Sequence, residues 1–247
     1  MGILNATPDS FSDGGKIKTP QDAIAQAEYM IANGVDLIDV GGESTRPGAD
    51  PVSLQEELDR VLPVIESLKD CGVPLSIDTY KAETMRQALH AGANCVNDIW
   101  ALRQAGALDA VLASSNCGIV LMHMQRDPQT MQFDPEYVDV ISEVSKFLNE
   151  RAKLLMQSGV HHDRIAIDPG FGFGKNLEHN ISMLAHLNAF TATGFPVLAG
   201  ISRKSMLGKI TGKDTDQRMA ASIAAAIMAA DRGAQIIRVH DCLLYTS

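Results

Sequence analysis

Eight short apolar runs, each ending in a polar cluster, limit what this chain can fold into. Met1-Gly2-Ile3-Leu4 leads to Asn5, and residues 36–40 lead to Gly41-Gly42-Glu43. Residues 75–77 end at Asp78, 95–96 at Asn97-Asp98, 119–122 at His123, and 165–167 at Asp168-Pro169-Gly170. Residues 197–199 lead to Gly200-Ile201-Ser202-Arg203-Lys204, and 236–237 to Arg238-Val239-His240-Asp241. Most intervening stretches carry a helical apolar period. A strand buried on both faces reads as a short continuous apolar run. In a barrel of such strands, the loops at their C-terminal ends carry the chemistry. The expectation is an α/β chain, a (β/α)8 TIM barrel forming one domain over residues 1–241.

The length of 247 residues suits one such barrel. The first run begins at residue 1 and the eighth ends near residue 240. The barrel is therefore read as lacking its extreme N-terminus and its final helix. Residues 242–247 fit neither period and are read as a non-native tail.

Helices are expected at 20–32, 53–69, 81–90, 135–157, 177–187 and 216–231. Thr19 is placed as the first N-cap with Pro20 in the first turn, and Asn33-Gly34 as the stop. Ser53-Leu54-Gln55-Glu56 has capping-box spacing, and Pro63 falls inside the helix that follows. Residues 219–230 are dense in alanine, which suits close packing of a helix on a sheet.

A net charge of −9 argues against general nucleic-acid binding, which needs a basic face. No apolar run has the length of about 20 residues needed to span a membrane. The four cysteines, Cys71, Cys95, Cys117 and Cys242, are scattered without a C-x-x-C pair. That fits reduced structural thiols in a cytoplasmic protein.

Asn5 offers a neutral oxygen at the end of the first strand. Such a group suits Mg2+, which keeps several waters and is held largely through substrate phosphates. The loop that follows carries Phe11, either an anchor that folds inward or an ordinary turn residue. The second loop sets Arg46 between Thr45 and Pro47, a suitable anion contact. Asp78, Asn97 and Asp168 end three different strands. Two carboxylates and an amide can accept from the N–H edge of a nitrogen-rich heterocycle. Acid–base work, metal binding and helix capping are the alternatives. Arg203-Lys204 and Arg238-Val239-His240 supply positive charge at strands seven and eight, where this fold often binds phosphate. Gly170-Phe171-Gly172-Phe173-Gly174-Lys175 has neither Walker nor G-x-G-x-x-G spacing. It reads as a loop brought close to a ligand. His161-His162 is read as surface at the opposite end of the fold.

These segments, in order, resemble the dihydropteroate synthases of bacterial folate biosynthesis. The match rests on residues 1–15, Gly42-Glu43-Ser44-Thr45-Arg46-Pro47-Gly48, 76–79, 97–99, Met122-His123-Met124-Gln125, 168–175, 200–206 and 238–241. The resemblance implies a transferase of the alkyl or aryl type. It would condense 6-hydroxymethyl-7,8-dihydropterin diphosphate with 4-aminobenzoate, giving 7,8-dihydropteroate and pyrophosphate. It implies that Asp78, Asn97, Asp168, Lys204 and Arg238 hold the pterin. Asn5, Arg238 and His240 would hold the diphosphate, with Mg2+ beside Asn5. Phe11, Thr45, Arg46, Pro47, Phe173 and Ser205 would lie near 4-aminobenzoate. Asn5, Lys204, Arg238 and His240 would carry catalysis. Sulfonamides as competitors of 4-aminobenzoate and a homodimer of the full-length enzyme follow from the same resemblance; the charge and the lack of a long apolar run argue for no nucleic-acid and no membrane partner.

No protein nucleophile stands out, so diphosphate departure before amine attack is expected. The nearest rival, a methyltetrahydrofolate-binding methyltransferase, shares the pterin pocket. The Thr7-Pro8-Asp9-Ser10-Phe11-Ser12 loop and Ser202-Arg203-Lys204-Ser205 favour the synthase. A non-catalytic pterin-binding homologue would be expected to lose part of the diphosphate set, which is intact here. Arg126-Asp127 departs from the family, where a Gly and a small polar residue are common.

Overall fold

The computed structural model describes residues 1–7, 19–44 and 49–241. Phe11, Thr45, Arg46, Pro47 and the tail at 242–247 lie outside the described residues. The described chain alternates strand and helix through eight strands, the α/β order of a (β/α)8 fold, and the pairings within each unit are parallel. It groups into two compact units, one of residues 1–44, 49–119 and 240–241, the other of 120–239.

The first unit holds β1 (Gly2–Asn5), α1 (Pro20–Ala32), β2 (Ile38–Gly41), α2 (Leu54–Leu68), β3 (Leu75–Asp78), α3 (Ala82–Ala91), β4 (Cys95–Asp98) and α4 (Ala107–Leu112). Its four strands pair in parallel with no offset, so their side chains form rows. Leu4, Val40, Ile77 and Val96 make one row, and all four are fully buried. Burying each such side chain is worth about 1.5–3 kcal/mol. Helices contribute Ala23 and Ala27, Val61, Val64 and Ile65, and Met85 and Ala88 to the same core. Side chains alternate along a strand. The rows Ile3–Asp39–Ser76–Cys95 and Asn5–Gly41–Asp78–Asn97 therefore share the opposite face, one above the other.

The second unit starts at Val120 inside β5 (Gly118–Met122) and takes in α5 (Val140–Gln157), β6 (Ile165–Asp168), α6 (Leu177–Ala185), α7 (Asn188–Thr191), β7 (Leu198–Ala199), α8 (Ser205–Thr211), α9 (Met219–Asp231) and β8 (Ile236–Ile237). His123 N–H donates to Asp168 O at 3.0 Å, and Ile167 bridges Val197. Leu198 and Ala199 pair with Ile236 and Ile237.

Helix starts follow local chemistry. Thr19 and Asp22 form a complete capping box on α1. At α2 only half the expected box forms. Ser53 accepts from Glu56 N–H, while the Glu56 carboxylate pairs with Arg60 one turn on. α2 runs on through Pro63. α5 starts at Val140, not at 135, because Asp139 accepts from Ile141 N–H and Ser142 N–H and so caps it. α9 begins at Met219 after a 3-10 turn at Thr215–Gln217. The helix expected at 177–187 ends at Ala185, and α4 and α8 are additional short helices. No described helix is long and apolar enough to cross a membrane.

Candidate active site

The upper row of the first unit brings Asn5, Asp78 and Asn97 to the C-terminal ends of β1, β3 and β4, in register. Gly41 stands between Asn5 and Asp78. A Cβ there would rest 3.6 Å from Asp78 Cβ, so the glycine leaves the row open. Below it, Asp39 is fully buried and accepts from Asn97 Nδ2 at 3.0 Å. Asp39 also raises the neighbouring Cys95 thiol, which burial first pushes up to about 12. Asp98 is structural. It accepts from Trp100 N–H at 2.8 Å and Leu102 N–H at 2.7 Å, closing the turn that follows β4.

Glu43, at the start of the second loop, is tied to the β3–α3 turn. Tyr80 Oη donates to it at 2.7 Å, and Lys81 Nζ pairs with it and with Glu57, at 3.0 Å from the latter. Thr84 Oγ1 donates to Glu57 at 3.0 Å. Burial, then the hydrogen bond to Glu43, pushes the Tyr80 phenol well above its ordinary pKa.

In the second unit, Asp168 ends β6 and is almost fully buried. Its Oδ1 accepts from Gly170 N–H at 2.7 Å. Burial raises its pKa, while Lys204, the Gly170 N–H, Arg238 and Lys175 pull the other way. Lys204, Arg238 and the Lys175 amine therefore share one field with this carboxylate. Lys204 Nζ donates to Phe171 O and lies 4.7 Å from the centre of the Phe173 ring. Arg238 N–H extends the β7–β8 pairing by donating to Ala199 O at 3.1 Å. The adjacent Arg203 has a left-handed backbone, φ 57°, held by Ser222 Oγ on its N–H and by Arg218 on its carbonyl.

The glycine loop is shaped by close approach. Gly170 has φ 72°, and a Cβ there would lie 2.0 Å from His123 O. Gly174 has φ 64°, and a Cβ would meet Gln125 Cβ at 2.8 Å. Lys175 closes the loop. Its buried Nζ reaches His123 Nδ1 at 2.9 Å, His123 O at 3.3 Å, Gly170 O at 3.0 Å and Phe173 O at 2.9 Å. Burial first, then Lys204, holds the Lys175 amine well below its ordinary pKa, against the pull of Asp168. The β5–α5 segment braces the loop, with Gln132 Nε2 donating to Gly172 O at 2.6 Å and Tyr137 Oη to Gly174 O at 2.8 Å.

The expected residues thus stand at strand ends in two groups. Asn5, Asp78 and Asn97 belong to the first unit, as does the half-buried His240. Asp168, Phe173, Lys204, Ser205 and Arg238 belong to the second. Ser205 is exposed at the first turn of α8. His161 and His162 sit on a 3-10 turn, His162 stacked on Phe195 at 4.5 Å. The departure at Arg126 has a structural correlate. Its φ is 62°, a conformation where glycine is favoured, and its guanidinium donates to Phe133 O at 2.5 Å. Sequence reasoning missed Asp39, Lys175 and the Glu43–Lys81–Glu57 cluster. The signals were a charge inside an apolar run and a lysine closing a glycine loop. Among the described residues, no three His, Cys, Asp or Glu side chains cluster to hold a metal.

A family model described as pterin binding enzyme matches residues 1–240. The dihydropteroate synthase of Escherichia coli K12 is 49% identical over 242 residues, covering 98% of this chain and 86% of the relative. The crystal structure of the Yersinia pestis dihydropteroate synthase with a sulfonamide drug complex superposes with a TM-score of 0.96 at 47% identity, covering 99% of this chain and 89% of that one. The Burkholderia cenocepacia dihydropteroate synthase complexed with 7,8-dihydropteroate gives 0.90 at 52% identity, covering 99% and 86%.

Proposed function

The chain belongs to the pterin-binding enzyme family, and from that premise we propose that it condenses 6-hydroxymethyl-7,8-dihydropterin diphosphate with 4-aminobenzoate, releasing 7,8-dihydropteroate and pyrophosphate. The observation that carries this reading is the in-register row Asn5–Gly41–Asp78–Asn97, which aligns an amide, a gap, a carboxylate and an amide at four strand ends.

Asp78, Asn97 and Asp168 accept from the pterin's N–H edge, and carboxylate acceptors make such bonds about twice as strong as neutral ones. Lys204 and Arg238 flank the ring, the planar guanidinium being suited to stacking. Arg238 and His240 donate to the diphosphate. Asn5 supplies one neutral oxygen, and no described acidic or His/Cys cluster competes for a metal. That donor set fits Mg2+ held mainly by substrate phosphate. When bound, Mg2+ neutralises charge on the leaving diphosphate.

In this reading the described strand-end residues bind, orient and neutralise, and no covalent bond to the protein forms. The C–O bond to diphosphate breaks first, and the electron-rich pterin stabilises the resulting cation. The 4-aminobenzoate nitrogen then attacks the methylene carbon and gives up a proton to the departing pyrophosphate or to water, with Phe11, Thr45, Arg46, Pro47, Phe173 and Ser205 as the binding set. Sulfonamides compete at that second position. The scattered reduced thiols favour a cytoplasmic setting. Exposed Ile210, Met219, Ile227 and Met228 on α8 and α9 favour a homodimer.

Incubation with both substrates should yield 7,8-dihydropteroate, identified by mass. A pterin covalently attached to the wild-type protein would contradict the dissociative route.

A further inference from the structure

The lower row of the first unit holds a feature that the reaction as described does not use. Asp39 is a fully buried carboxylate in the middle of β2, two residues before the glycine of the upper row. It lies beside Ser76 and Cys95 in register, a costly place for a charge unless it does something there. Its Oδ2 accepts from Asn97 Nδ2 at 3.0 Å.

That bond decides which way the Asn97 amide faces. A carboxylate has only lone pairs to offer. Against Asp39, the Asn97 side chain must present its NH2 group downward, and the planar amide then turns Oδ1 toward the C-terminal end of β4. An asparagine without such a partner could present either end. We infer that Asp39 is a positioning residue. It locks the Asn97 amide so that an incoming heterocycle meets an oxygen acceptor and is selected for an N–H donor at that position.

The inference rests on the pterin reading for Asn97 and adds the polarity of that contact. Asp78, next to Asn97 in the row, is also an acceptor. With the amide locked, the row offers acceptors side by side, which suits the donor edge of an aminopyrimidinone ring and disfavours an isostere presenting ring nitrogens as acceptors. A site built to pair one polarity rejects the other strongly, because the mismatched buried groups stay unpaired.

The test is a swap. Asp39→Asn is nearly isosteric, but its amide can donate to Asn97 Oδ1 and release the lock. Asn97→Asp alone sets two carboxylates against each other. The double variant D39N/N97D restores a donor below and an acceptor above with the partners exchanged. Calorimetric titration with 6-hydroxymethyl-7,8-dihydropterin diphosphate should show D39N binding at least about tenfold more weakly, roughly 1.4 kcal/mol. N97D should bind more weakly still. The double variant should return to within about threefold of wild type. Inorganic pyrophosphate affinity should not move in any variant, and thermal melts confirm folding. D39N equal to wild type overturns the inference, and so does a folded double variant no better than D39N. Wild-type protein that fails to bind the pterin overturns the functional reading instead.

Discussion

Gly170→Ala is the most exacting test of how the glycine loop holds Asp168. Two costs add. An L residue at φ 72° pays about 1–2 kcal/mol for the left-handed conformation. The new methyl would also sit 2.0 Å from His123 O, whereas a carbon–oxygen contact is comfortable at about 3.3 Å. The loop must move by more than 1 Å, roughly, because the two nearest atoms, His123 O and its carbonyl carbon, are backbone and do not yield cheaply. That movement stretches the 2.7 Å bond from Gly170 N–H to the Asp168 carboxylate, worth about 1.5–3 kcal/mol. Together the loss is about 2.5–5 kcal/mol, a large share of the 5–15 kcal/mol, roughly, that holds a domain folded. Urea unfolding should show a lower midpoint with an unchanged slope. Calorimetry on the folded protein should show pterin binding weakened by about tenfold or more, since Asp168 has lost the donor that aims it. Gly212→Ala is the control. Its φ is 68°, but a Cβ meets nothing within 4 Å, so only the backbone cost applies and pterin affinity stays put. A G170A protein within about 1 kcal/mol of wild type, with normal pterin affinity, would refute the argument.

Three further outcomes are expected. Asp168→Asn should weaken pterin binding by about 2–5 kcal/mol, measured by calorimetry. Its stability should behave oppositely. Burial raises the folded pKa of Asp168, so its contribution is full below the unfolded value of about 3.9 and is lost as pH rises through the folded one. The stability of D168N relative to wild type should therefore grow as pH rises above about 4 in urea titrations; a flat difference would contradict this. Lys81→Met leaves the buried Glu57 and nearly buried Glu43 without their shared cation, and should cost about 3–5 kcal/mol by the same assay. Arg126→Gly relieves a left-handed backbone while losing an exposed bond to Phe133 O, so melting should show stability within about 1 kcal/mol of wild type.

The strands were legible because a parallel strand buried on both faces must be apolar throughout, and each apolar run stopped where side chains turned polar. α1, with its complete capping box, read well at both ends, and α3 to within a residue at each. α4 and α8 were too short to show a period. The start of α5 was misplaced because residues before Asp139 serve tertiary contacts, Tyr137 to Gly174 O among them, that local propensity does not encode. Asp78, Asn97 and Asp168 stood out because each closes a run. Asp39 did not, because its importance comes from register with Ser76 on another strand and from Asn97 one layer above. Lys175 passed as one more basic residue although it closes a glycine loop, because its ring of three carbonyls and a histidine is drawn partly from another strand end. The left-handed turn at Arg126 was equally hidden, because arginine is not a residue that announces a positive φ.

The central claim is that this chain joins a pterin diphosphate to an arylamine. Pyrophosphate release should be measured with purified protein, the pterin diphosphate and Mg2+, with and without 4-aminobenzoate. Release that requires 4-aminobenzoate and is suppressed competitively by a sulfonamide is the predicted result. A folded protein that binds the pterin yet releases no pyrophosphate with 4-aminobenzoate present would contradict the account.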